Sequence, residues 1–394
     1  MNSKLRKQPA KRKIHGQPSW RLASKDVEAF VTEIGGHLGP VTFERRGRKI
    51  QPFSVAPWAQ ERFNPPLKPI IQVLRGDFFC LPFGGNGTPY RGERHPIHGE
   101  TANANWVFES LQTVTGRTCL HLSLKTKVRA GCVDKKLYLV DGQNVVYSQH
   151  IISGMSGPMN PGHHAMLKFP DTSGSGLLST SRFVYAQVLP QVFEEPAKGG
   201  YSALGLGAKF TSLEKVPMLN GETADLSRFP ARRGFEDLVM LVSDVDLPFA
   251  WTAVAFQRQG FVWFALKNPR ILRETVFWIS NGGRHYPPWN GRHINVMGLE
   301  EVTSYFHLGL AESARRNPIS AKGYPTFLSL NPRRPLRVPY IMGVARIPAG
   351  FDRVKSIDAV RGNQAITLRS ANGKTVKARV NLDFLAEQGR TFRA

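Results

Sequence analysis

Three short stretches of the chain concentrate side chains able to move protons: His95-Pro-Ile-His98-Gly99-Glu100, Asn160-Pro-Gly-His163-His164-Ala165-Met166, and Trp289-Asn-Gly-Arg292-His293 leading to Gly298-Leu299-Glu300-Glu301. Imidazoles change charge near neutrality and carboxylates a little below it, so the two together supply both partners of general acid–base chemistry. Gly and Pro flank all three stretches, which places these groups at loops and strand ends, where a rigid scaffold commonly holds functional residues. A divalent ion ligated by His95 with His98, or by His163 and His164 with Glu300, is a second use for the same groups. The Gly-rich surroundings and nearby arginines suit a cation poorly, so neither a metal nor a cofactor is expected.

The segments that must position these groups read as strands. From Trp20 onward, short apolar or alternating runs are broken by Gly, Pro, Asn and Asp, the period-two rhythm of a sheet. Two hairpins are legible: Lys136 to Val140 with Val145 to Ile152 around Asp141-Gly142, and Ala365 to Ser370 with Thr375 to Val380 around Asn372-Gly373. Phe183–Pro190, Leu238–Leu247, Trp251–Gln257 and Phe261–Lys267 carry the same rhythm through the middle. Helical patterning is confined to Asn103–Leu111 and Leu308–Arg315, too short to form a crossover layer. The expected fold is therefore all-β, a large antiparallel sandwich forming one domain over residues 20–394, preceded by a basic, disordered tail over residues 1–19.

Of the first thirteen residues six are basic (Lys4, Arg6, Lys7, Lys11, Arg12, Lys13), and the whole chain has a formal net charge of +24. Such charge attracts polyanions, so a nucleic-acid-associated protein is one alternative, although no signature of a nucleic-acid-binding fold accompanies it. A solvated basic surface, including the run Arg45, Arg46, Arg48 and Lys49, is the simpler reading. No apolar stretch is long enough to span a bilayer, and no apolar leader follows the basic start, so a cytoplasmic protein with no membrane partner is expected. Cys80, Cys119 and Cys132 have neither disulfide-framework nor metal-site spacing and are read as buried free thiols.

In order and character, the three chemical stretches resemble those of the aldose 1-epimerase (galactose mutarotase-like) family. That family has a His-Gly after a Gly-rich segment, then an Asn-His-x-aromatic element, then a Gly-x-x-Leu-Glu element near the end. Here these are matched by His98-Gly99, His163-His164-Ala165-Met166 and Gly298-Leu299-Glu300. Phe261–Pro269 and Thr275–Asn281 are similar to the strand pair preceding the glutamate, and Gly234-Phe235-Glu236-Asp237 to a Gly-aromatic-Asp-His element. The chain departs from the pattern at His163, Met166, Glu236 and Glu301, as a divergent branch would.

The resemblance implies a sandwich of the galactose mutarotase-like type and a cleft that opens and recloses a cyclic sugar. Glu300 would take the anomeric proton and protonated His164 would give one to the ring oxygen, with His98 sharing the acid role. Mutual attraction would keep the carboxylate ionised and His164 protonated. Arg75, His163, Glu236 and Arg292 would bind substrate, and Trp289 or Trp106 would offer a face to sugar C–H groups, while Trp263 and Trp278 would be core. Glu301 remains an alternative base, because adjacent residues on a strand face opposite sides and only one can enter the cleft. The partner is a neutral sugar or a phosphosugar. A noncatalytic or otherwise carbohydrate-processing protein on the same scaffold is the main alternative.

Overall fold

The computed structural model describes residues 9–386. Its strands assemble into stacked antiparallel sheets. A seven-stranded sheet runs in the order Phe183–Val188, Phe235–Ser243, Glu274–Asn281, Val296–Val302, Gly162–His163 and Phe79–Cys80, with Ala165–Lys168 also paired to Val296–Val302. Against it lies a nine-stranded sheet: Arg228–Phe229, Gly176–Thr180, Ala250–Phe256, Phe261–Lys267, Leu336–Arg346, Val145–Ser153, Gly131–Val140, Arg117–Thr126 and Val107–Val114.

Alternation along each strand sorts side chains into three apolar layers. Between the two large sheets, Val239, Leu241, Phe277, Ile279, Met297 and Leu299 meet Val254, Trp263, Ala265, Tyr340 and Met342. The outer face of the nine-stranded sheet carries Ala253, Val262, Phe264 and Leu266, covered by a small C-terminal sheet (Val354–Ala359, Ala365–Ser370, Thr375–Arg379) through Ile357, Ile366 and Leu368. The outer face of the seven-stranded sheet carries Leu238, Met240, Val276, Trp278 and Val296, packed against Trp58, Ile70, Leu74 and Phe78. Central strands such as Phe261–Lys267 are buried on both faces, which explains why they read as continuous apolar runs.

Both expected hairpins form, with Gly142 and Gly373 in the left-handed conformation. The helical expectation for Leu308–Arg315 holds as Leu310–Ala314. That for Asn103–Leu111 does not: a single tight turn at Glu100–Ala102 gives way to the strand Val107–Val114, whose β-branched residues pair with Arg117–Thr126 across Thr115-Gly116. Leu336–Arg346 sits in the middle of the nine-stranded sheet, so the C-terminal part of the chain is threaded through the main core.

The expected tail boundary at residue 19 also moves. Arg12–Ile14 and Gln17–Ala23 begin a four-stranded sheet with Glu28–Thr32 and Leu38–Thr42, and Trp20 and Leu22 enter the main core. Lys11 pairs with Glu33 at 2.7 Å. Arg75 fixes this hairpin: its buried guanidinium donates to the carbonyls of Val73, Ile14 and His15 at 2.8 to 3.0 Å. The Lys4, Arg6 and Lys7 portion of the expected tail lies outside the described residues. Cys80 is a buried free thiol as expected, whereas Cys119 and Cys132 are free but only partly buried.

Candidate active site

On the outer face of the seven-stranded sheet, a cleft of about 370 Å³ brings His98, His164 and Glu300 together. Register sets the last two. Gly162 pairs with Val302 and Ala165 with Leu299, so His164 and Glu300 stand opposite each other where the strand is interrupted. His164 Nε2 lies 3.0 Å from Glu300 Oε1. Its ring is stacked on Phe78 at 4.5 Å and meets the His98 ring edge-on at 4.9 Å.

The His98 loop is held by glycine and amide contacts. His98 and Gly84 bond reciprocally: the His98 N–H donates to the Gly84 carbonyl at 2.7 Å, and the Gly84 N–H to His98 Nδ1 at 3.2 Å. The imidazole proton is therefore on Nε2. The Asn86 amide donates to the carbonyls of Pro82, Gly84 and Pro96, and Asn103 to those of Ile97 and Gly99. His98 and Gly99 both have positive φ (56° and 75°), and a side chain at Gly99 would run into the Leu81 carbonyl at 1.9 Å. Gly99 is thus required for the loop to close, and His98 is held in a sparsely populated conformation.

Strand alternation decides between the two glutamates. Glu300 lines the cleft, while Glu301 points into the sandwich, where its carboxylate meets Lys267 Nζ at 2.5 Å and accepts from the Thr252 and Thr275 hydroxyls. Room for Glu300 comes from Gly298, two residues earlier on the same face: a Cβ there would sit 2.6 Å from Glu300 Oε1.

The expected carboxylate–imidazolium pair is opposed by its surroundings. Burial raises the Glu300 carboxyl well above its ordinary range and lowers His164 to about 3. Both partners are driven toward their neutral forms. Burial likewise keeps His98 neutral.

The other expected binding residues are dispersed. Trp289 lines the cleft. Arg75 is committed to the backbone as described. His163 faces the interior and bonds Asp77 at 2.9 Å. Glu236 lies beneath the cleft wall, accepting from Trp278 Nε1 and Ser280, and burial lifts it to about 7; it supports Trp278. Arg292 is bound to exposed Glu61 outside the cleft. Trp106 is buried elsewhere, donating to Thr101, and Trp263 is core as expected. Trp278 is core as expected, in the apolar layer on the outer face of the sheet, and its alternation with inward-facing Phe277 and Ile279 also brings it to the cleft.

The arginine that does line the cleft, Arg284, escaped the sequence reading, as did Glu194, Tyr286 and His307. Arg284 bonds Glu194 at 2.6 Å and lies 4.5 Å from the Trp289 ring centre. Its position in Ser280-Asn281-Gly282-Gly283-Arg284, directly after an apolar strand, was the available signal. Among the described residues no cluster of three or more His, Cys, Asp or Glu is arranged to hold a metal ion, and no helix is long and apolar enough to cross a membrane.

No family model matches the sequence, and a search of curated proteins finds no match. Solved structures do match in fold. A galactose mutarotase-like protein from Clostridium acetobutylicum superposes with a TM-score of 0.56 at 13% identity, covering 86% of this chain and 98% of that one. A candidate aldose 1-epimerase from Escherichia coli K12 gives 0.57 at 11% identity over 84% and 100% of the two chains. A galactose mutarotase related enzyme from Lactobacillus acidophilus gives 0.52 at 11% over 84% and 99%. With its antiparallel sheets and this set of neighbours, the chain has the galactose mutarotase-like sandwich fold.

Proposed function

We propose that the chain interconverts the anomers of an aldose or aldose derivative, with Glu300, His164 and His98 as its proton-transferring groups. The observation that carries this reading is the 3.0 Å contact between His164 and Glu300 in an open cleft that also holds His98. Opening a cyclic hemiacetal removes a proton from the anomeric hydroxyl and adds one to the ring oxygen. Rotation about the first carbon–carbon bond and the reverse transfers then give the other anomer.

The neutral pair suits this balance, because the reaction has no net proton demand. Transfer of the Glu300 proton to His164 across the 3.0 Å contact creates a carboxylate base and an imidazolium acid side by side. Sugar hydroxyls entering the cleft replace part of the apolar surroundings that hold the pair neutral, and so favour that form. Nε2–H of His98 is a further donor for the ring oxygen or a neighbouring hydroxyl. Each positioned group of this kind contributes about 10² to 10⁴ in rate.

The test is polarimetry of freshly dissolved α-anomers of a panel of aldoses, with the wild type and Glu300→Gln. Acceleration by the wild type that disappears in the variant supports the reading. Acceleration by neither, or equally by both, contradicts it.

A further inference from the structure

The composition of the cleft narrows the ligand beyond "an aldose", and this inference rests on the same cleft being the sugar site. Charge is the first criterion. Arg284 is the only Lys or Arg among the lining residues, and its charge is already answered. Glu194 holds it at 2.6 Å, a carboxylate oxygen of Glu236 lies 4.0 Å away, and Tyr286 donates to the second oxygen of Glu194. Its flat faces are covered by Trp289 at 4.5 Å, Phe193 at 5.2 Å and Trp278 at 5.3 Å. Among the described residues, a phosphate in this cleft would meet two carboxyl groups, Glu194 and Glu300, and no free cation. The strong positive charge of the chain as a whole is not expressed here.

Hydroxyl complementarity is the second criterion. Arg284, Glu194 and Tyr286 are bonded to one another, so the lining side chains left to bond a sugar are His98, His164, Glu300 and His307, whereas Ile70, Ile71, Leu74, Ile97, Phe193 and Leu238 line the cleft with carbon alone. These belong to or pack against one continuous apolar cluster with Phe78, Trp278 and Trp289. Hydroxyls pressed against that wall lose water and gain no partner, whereas a methyl or methylene group placed there gains burial.

We infer that the cleft takes an uncharged pyranose with one polar edge, the hemiacetal, and an apolar remainder: a deoxy sugar or a sugar carrying an alkyl substituent. Hexoses with a full set of hydroxyls are poorer substrates, and hexose phosphates are excluded.

The test uses D-glucose, its 2-deoxy and 6-deoxy forms, and D-glucose 6-phosphate, with the matching galactose set, followed by exchange NMR of the anomers. The expected result is that at least one deoxy sugar exceeds its parent in kcat/KM by about tenfold or more, that the phosphates are not turned over, and that Ile71→Gln narrows the preference. Parent sugars or phosphates reacting as well as every deoxy sugar would overturn the inference. If no sugar is anomerised, the catalytic reading has failed, and ligand-observed saturation-transfer NMR with the same probes decides the ligand class. Deoxy sugars binding more tightly than their parents then sustain the inference; equal binding, or none, overturns it.

Discussion

Two faces of one seam, a single residue apart, treat the same chemistry in opposite ways. Where the Gly162–His163 and Ala165–Lys168 strands meet Val296–Val302, Glu300 and His164 face the cleft, while their neighbours Glu301 and His163 face the sandwich interior. The inward Glu301 is answered by a buried ammonium, Lys267, and two threonine hydroxyls, and the inward His163 by Asp77. The outward pair has only each other, over Phe78 and beside an apolar wall. A satisfied buried ion pair is fixed in place. A neutral pair 3.0 Å apart at an open cleft is not fixed by a counter-charge, and under the proposed function this difference separates a structural from a chemical use of the same residue types.

If burial rather than ion pairing sets the charge state of the buried histidines, acid should destabilise the protein. His164 and His293 are held near 3, His307 near 4, and His37, His98 and His150 well below their ordinary value of 6.5. The unfolded chain takes up these protons first, so their stabilisation is complete above pH ~6.5 and is lost as pH falls toward 3 to 4, each group contributing up to about 1.4 kcal/mol per pH unit. The raised carboxyls Glu236 (about 7), Glu274 (about 8), Glu300 and Asp237 act in the other direction, destabilising as pH rises through the range above the ordinary carboxylate value, but the six histidines outnumber them. Urea titrations between pH 7 and 4.5 should show a falling midpoint. A flat profile would mean that the histidines are charged in the folded state.

Glu301→Gln leaves Lys267 buried without its carboxylate and should cost about 3 to 5 kcal/mol of stability, read as a lowered urea midpoint. Gly298→Ala tests the cleft side: the new methyl must displace the Glu300 carboxyl from His164. Turnover should fall by about tenfold or more, while the melting temperature changes little. The smallest effect is expected for Arg292→Ala. It removes an exposed ion pair with Glu61 outside the cleft, so turnover and melting temperature should both match the wild type.

Much of this arrangement is legible from residue order. The Gly-flanked His98 and the downstream Gly298-Leu299-Glu300 point to the cleft because glycines there make room that no other residue leaves. The choice of Glu300 over Glu301 is not legible, since it depends on which face of a doubly buried strand meets the cleft. The same ambiguity hid that Trp278, a core residue, also reaches the cleft. Arg75 misled because it stands where the resemblance places a substrate-binding arginine, when here it serves three carbonyls, two of them in the N-terminal hairpin. Arg284 was missed because its partner Glu194 is distant in sequence and the neighbouring Trp278 and Trp289 meet it only once the chain folds. The helix expected at Asn103–Leu111 failed because Val107 to Val114 complete a hairpin, and that pairing outweighs local propensity.

Exchange NMR of the anomers of an accepted sugar, with Glu300→Gln and Glu301→Gln compared per folded molecule, tests the central claim most directly. The account predicts that Glu301→Gln keeps the wild-type rate despite its lower stability, while Glu300→Gln loses about 10² to 10⁴ of it. Equal losses in the two variants, or loss confined to Glu301→Gln, would contradict it.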